Sequence, residues 1–97
     1  FAPGERWSYC DANFFLLGML LEKVTGRPYG TLLREQVLGP LGMRNTRLSE
    51  TVSLVPGRVR GYIWKDGAIR NARFNSLTWA WSAGAIASSS ADLAIWD

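Results

Sequence analysis

From Asp11 to Val24 apolar side chains fill most positions: Phe14, Phe15, Leu16, Leu17, Met19, Leu20, Leu21 and Val24, with Gly18 the one helix-disfavouring residue among them. So little polar face in the first turns predicts a helix buried on most sides, not a surface helix with one wet flank. Asp11 stands where an N-cap would stand, and Thr25-Gly26 supplies the usual stop. Arg27-Pro28 then opens a second helix from about Tyr29 to Leu38, with Leu32, Leu33 and Val37 as its apolar stripe and Gly39-Pro40 as its end. Leu41 to Thr46 reads as a compact turn, and the stretch to Pro56-Gly57 keeps no sustained period.

Further on, Gly61-Tyr62-Ile63-Trp64 and Ala68-Ile69-Arg70 flank Lys65-Asp66-Gly67, the pattern of a β-hairpin closed by a tight Asp-Gly turn. Residues 71–81 give no assignment. The small apolar run Ser82 to Ala87 suits close backbone approach, and Ser88-Ser89-Ser90 stands as an N-cap before a last helix beginning near Ala91. Helices with a short hairpin make the chain α+β. No internal repeat or linker tract divides it.

The 97 residues allow one domain at most, and 47% hydrophobic against 20% charged residues is an ordinary globular balance. A first residue other than methionine, and an end inside an apolar run, predict that residues 1–97 are an internal, partial domain. The net charge of +3 comes from nine Arg and two Lys scattered among eight acids, so no nucleic-acid footprint is present. Phe14 to Leu21 is too short to span a bilayer, so no transmembrane segment is expected here. Cys10 is the single cysteine, which excludes an internal disulfide and a cysteine-based zinc site.

Histidine is absent altogether. A Ser-His-Asp triad, a Cys-His dyad and a His-ligated metal therefore cannot be assembled from these residues. No cofactor is implied. Tyr9, Cys10 and Asp11 are the remaining candidates, placed in succession at the mouth of the apolar helix, where free N–H groups and the helix dipole favour an anion. Read on these residues alone, Asp11 is a cap, Tyr9 a half-buried aromatic and Cys10 a small residue packed inward. Ser82 and Ser88 to Ser90 lack both a Lys three positions on and a Gly-x-Ser-x-Gly elbow, so they read as loop and cap residues. The tryptophans read as core or partial surface.

Pro3 to Gly18, with Tyr9-Cys10-Asp11 at its centre and Leu21-Glu22-Lys23-Val24-Thr25-Gly26 after it, resembles the Tyr-x-Asn segment of the penicillin-binding and class C β-lactamase family of serine hydrolases. Gly39 to Thr46 resembles the next shared block of that family and Ser82 to Leu93 a third, in the same order. The resemblance implies a β-lactamase/DD-peptidase-like fold, a sheet covered by helices beside a helical region, with the site in the crevice between them. It also implies a Ser-x-x-Lys motif upstream and a third motif downstream of these residues. In such an enzyme the motif tyrosine sits beside serine and lysine and exchanges the serine proton, the role carried over to Tyr9.

Asp11 falls at the asparagine position of the motif, and it departs from the pattern. Asparagine both donates and accepts, whereas ionised aspartate only accepts, so it can hold a lysine but cannot grip an acylamino carbonyl. That favours ester substrates, with a β-lactamase acting on β-lactams or a D-amino-acid peptidase acting on amides as alternatives. A binding module that kept the fold and lost catalysis is a further one. The segment alone, lacking the nucleophile, is expected to be inactive.

Overall fold

The computed structural model describes residues 1–49 and 53–97. Helix α1 spans Asp11–Thr25 and ends at Gly26, whose φ of 67° lets its N–H bond back to the Glu22 carbonyl. Helix α2 (Tyr29–Leu33) follows at once, its first N–H held by the Glu22 carboxylate at 2.7 Å, and runs into a π-helical turn over Arg34–Leu38. An ion pair from Arg27 to Glu35 spans the start of this helical stretch.

The stretch does not stop at Gly39-Pro40 as expected but continues as α3 (Gly39–Leu41) and ends at Gly42, φ 73°. Proline lacks an N–H and its ring crowds the carbonyl four residues back; the widened π turn makes room for it. A Cβ on Gly39 would lie 2.9 Å from the Arg34 carbonyl oxygen, so the turn tolerates no side chain there.

Strand β1 (Arg47–Leu48) pairs antiparallel with β4 (Ile86–Ala87), a link between distant parts of the chain that their short, non-alternating sequence does not announce. The expected hairpin is present as β2 (Tyr62–Lys65) and β3 (Ala68–Asn71). Asp66 and Gly67 both have positive φ, 54° and 72°, as a two-residue turn matched to strand twist requires. The irregular connection expected after Thr46 includes residues 50–52, which lie outside the described residues.

Two 3₁₀ turns span Thr78–Ala83, broken at Trp81 by φ 37° and ψ −115°. Positive φ is unusual for so bulky a residue, and packing holds it: the Trp81 ring stands edge-on to Phe15 at 4.9 Å and to Tyr29 at 5.4 Å. This segment lies on α1 at Gly18, the one buried residue of that helix, and the Ser82 hydroxyl donates to the Phe14 carbonyl at 3.0 Å.

Helix α4 (Ser90–Trp96) is capped by Ser89, whose hydroxyl accepts the Asp92 N–H. Asp92 itself is 3% exposed. Its carboxylate accepts the Thr46 hydroxyl at 2.7 Å, the Asn45 N–H at 2.8 Å and, at 3.5 Å, the Asn45 side-chain amide. Thr46, having spent its proton, accepts from Ser88 at 2.7 Å. The knot ties the turn after α3 to the start of α4, beside the β1–β4 pair.

Thr46, foremost, then the Asn45 donors and Ser89 hold the Asp92 carboxyl below the usual carboxylate range, against the opposing effect of burial. A depressed folded pKa contributes stability above the unfolded value of about 3.9, and that contribution is lost as pH falls through the folded value. Asp92→Asn in the full-length protein should therefore lower the melting temperature by about 5 °C at neutral pH, the two proteins converging in acid. Melting curves across the acid range check this; parallel curves for the two would contradict it.

Helix α1 corrects one expectation. Leu16 is 61% exposed, Leu20 54% and Val24 74%, so the helix is not buried on most sides. Periodicity reports that a helix needs apolar neighbours, not which segment supplies them. Among the described residues only α2 and the 78–83 segment pack on it closely. Of the buried apolar side chains, Leu38 and Met43 belong to the π turn and the turn after α3, Ala85 precedes β4, and Ala80 lies in the 78–83 segment that packs on α1. Among the described residues no helix is long and apolar enough to cross a membrane.

Candidate active site

Tyr9 lies in the extended segment just before α1 and is 60% exposed, its ring tilted against Phe14 at 5.9 Å. Cys10 takes the N-cap position with extended backbone, φ −152° and ψ 123°, and no side-chain cap. It is exposed, not packed inward as expected. Asp11 is the first helical residue and not the cap. Its carboxylate lies near the Tyr9 phenol.

The Asp11 carboxylate as an acceptor for the hydroxyl, first, then slight desolvation and the negative charge of Asp11, hold the Tyr9 phenol above its ordinary pKa of 10.0. A carboxylate partner favours the protonated phenol, so Tyr9 as it stands is a donor. To act as a base it needs a cation close by, and no Lys or Arg among the described residues is bonded to it. Among those residues no group of three or more His, Cys, Asp and Glu could hold a metal.

A groove of about 400 Å³ opens beside Asp11. Asp11, Ala12, Phe15 and Leu16 form its α1 wall, and Trp79, Ala80 and Ala83 from the 3₁₀ segment form the other. Asp11 is the single charged residue lining it. The structure thus brings Tyr9 and Asp11 together, and adds Phe15 and Trp79, which sequence reasoning left as packing residues. The only sequence signal for Trp79 was its proximity to a small-residue run able to approach α1 closely. Ser88 is absorbed by the Asp92 knot, Ser89 by the α4 cap and Ser82 by its bond to α1, while Ser90 is the first residue of α4.

The family model described as Beta-lactamase matches residues 1–97. The chain is 35% identical over 88 residues, 91% of its length, to a D-aminopeptidase of Cereibacter sphaeroides, and spans 17% of that protein. Among solved structures, a D-stereospecific amidohydrolase from Streptomyces sp. superposes with a TM-score of 0.78 at 35% identity, covering 98% of this chain and 29% of the other. A D-amino acid amidase from Ochrobactrum anthropi superposes with a TM-score of 0.80 at 28% identity, again covering 98% of this chain and 29% of that one.

Proposed function

Because the chain belongs to the beta-lactamase family, whose model matches all of residues 1–97, we propose that it supplies the tyrosine side of the catalytic centre in a longer serine hydrolase. Its place is one part of a single catalytic domain. The remainder of that domain covers the apolar flank of α1 at Leu20 and Val24, away from the groove, and brings a Ser-x-x-Lys motif to Tyr9. The observation that carries this reading is the exposed Tyr9 side chain, just before α1, with Asp11 two residues on lining a groove of about 400 Å³.

The substrate we assign is the amide of an amino acid or a short peptide. Asp11 alone favoured esters, because it offers no donor to an acylamino carbonyl. The relatives are named for aminopeptidase and amidase activity, and an amide bond fits the same machinery. The lysine ammonium beside Tyr9 offsets the effect of Asp11 and makes the phenolate available. Tyr9 takes the serine proton as serine oxygen bonds to the acyl carbon, then delivers it to the departing amine nitrogen as the carbon–nitrogen bond breaks. Water repeats the sequence on the acyl-enzyme: its proton passes to Tyr9, its oxygen joins the acyl carbon, and serine leaves with the proton.

Incubating the full-length protein with D-phenylalanine amide should release ammonia, and rapid quenching should trap one acyl group on the serine of Ser-x-x-Lys by mass spectrometry. Turnover without an acylated intermediate, or an acyl group on a serine of residues 1–97, would overturn the assignment.

A further inference from the structure

We propose that Asp11 is the specificity residue that recognises a free α-ammonium on the acyl residue of the substrate, with that residue's apolar side chain seated between Phe15 and Trp79. The inference rests on the amide-hydrolase reading and names the class of amide: unblocked amino-acid amides with a large apolar or aromatic side chain, in preference to N-acylated ones.

Three features of the groove carry it. Asp11 is the single charge in an otherwise apolar lining of Ala12, Phe15, Leu16, Trp79, Ala80 and Ala83, so the occupant it complements is a cation carrying hydrophobic surface. A carboxylate has two oxygens and about four acceptor positions, so beside the Tyr9 hydroxyl Asp11 keeps capacity for an ammonium with three donors. Finally, Asp11 follows Tyr9 by two residues and lies near enough to raise the pKa of its phenol, so a group held by Asp11 sits at a short distance from the proton-transferring hydroxyl. An amine one carbon from the scissile carbonyl meets that distance; an amine at the end of a long side chain does not.

The chemistry of the substitution points the same way. An asparagine here can donate to the carbonyl of a blocked substrate; ionised aspartate gives up that contact and repels the carbonyl oxygen, while gaining a charge-assisted bond to an unblocked amine. Specificity by loss of one contact and gain of another is the stronger kind, because the wrong substrate leaves a partly desolvated polar group without a partner. Phe15 and Trp79 also offer ring surface on which a phenyl side chain packs.

The test compares D-phenylalanine amide with its N-acetyl derivative on the parent protein, Asp11→Asn and Asp11→Glu. The ratio of kcat/KM, free amine over N-acetyl, should fall about 10- to 100-fold in Asp11→Asn, the range of one charged hydrogen bond, and recover in part in Asp11→Glu. A second readout does not depend on hydrolysis: D-phenylalaninol, an amine with the same side chain and no scissile bond, should bind the parent protein and lose about tenfold or more in affinity in Asp11→Asn. Should the parent bind the amino alcohol through Asp11 yet hydrolyse neither amide, the hydrolase reading falls and the ammonium site stands. If Asp11→Asn instead slows both amides equally and leaves the amino alcohol's affinity unchanged, Asp11 serves only to hold neighbouring catalytic groups and the proposal is wrong.

Discussion

Replacing Tyr9 by Phe in the full-length protein should lower kcat by about 100-fold to 10,000-fold, the usual contribution of a positioned general acid and base. The ring and its contact with Phe14 survive the change, and only the hydroxyl is lost. Because Tyr9 is 60% exposed, the hydroxyl contributes little to folding, and the melting temperature should stay where it is. A packing role would give the opposite pair of results, with a lower melting temperature and intact turnover. Steady-state kinetics beside thermal melts separates the two, since a loss of transition-state binding alone lowers kcat and kcat/KM together. Tyr9→Phe with parental kcat would remove the catalytic assignment.

The second large effect is expected at Gly18, far from any reacting atom. In an exposed helix, Gly→Ala is stabilising by roughly 1 kcal/mol, so propensity alone argues for a sturdier protein. The packing argues otherwise. A Cβ at position 18 would stand 2.5 Å from the Ser82 Cβ and 3.0 Å from the Trp81 ring, well inside ordinary carbon contact. Ser82 is anchored by its backbone, so α1 and the 78–83 segment must move apart, a type of overpacking that costs about 1–3 kcal/mol and outweighs the propensity gain. Gly18→Ala should thus destabilise by about 1–2 kcal/mol and, by shifting Trp79 away from Phe15, weaken turnover as well. Adding Ser82→Gly removes the clashing Cβ and should restore most of both losses. A stabilised single variant with full activity would show that the contact relaxes without moving the groove.

Much of the local architecture was legible in the sequence because it rests on signals a few residues long. The length of α1 followed from the absence of any breaker but Gly18, its end from Gly26, the hairpin from Asp66-Gly67 and the α4 cap from the serines before it. What escaped was set by distant partners. Helical content said that α1 is apolar but not what covers it, and the two-residue strands β1 and β4 pair across the chain without an alternating pattern. The passage through Gly39-Pro40 depended on a widened turn, and the positive φ of Trp81 on rings from α1 and α2.

The site was legible to a similar depth. Tyr9 and Asp11 stood out by their place before the apolar helix, and they do meet. The cap differs from the one expected, since Cys10 takes that position and Asp11 sits one residue inside the helix. Asp92 carried a usable signal, Ser89 three residues ahead of an acid, but that spacing announces a helix start and not a carboxylate bonded to residues 45 and 46. The groove was out of reach, because its walls come from segments more than sixty residues apart in the chain.

The pairing of Arg47–Leu48 with Ile86–Ala87, fastened by Asp92, fixes both ends of the intervening stretch at one point. Closing a chain segment costs entropy that grows only with the logarithm of its length, about 0.6 kcal/mol for each doubling. The hairpin of β2 and β3, whose residues are all exposed, hangs from that closure as a pendant. Its length is therefore nearly free to drift in evolution, or to accept an inserted peptide at Asp66-Gly67. The short stretch from Trp79 to Ala83 is not, because it must reach both Gly18 and β4 in register.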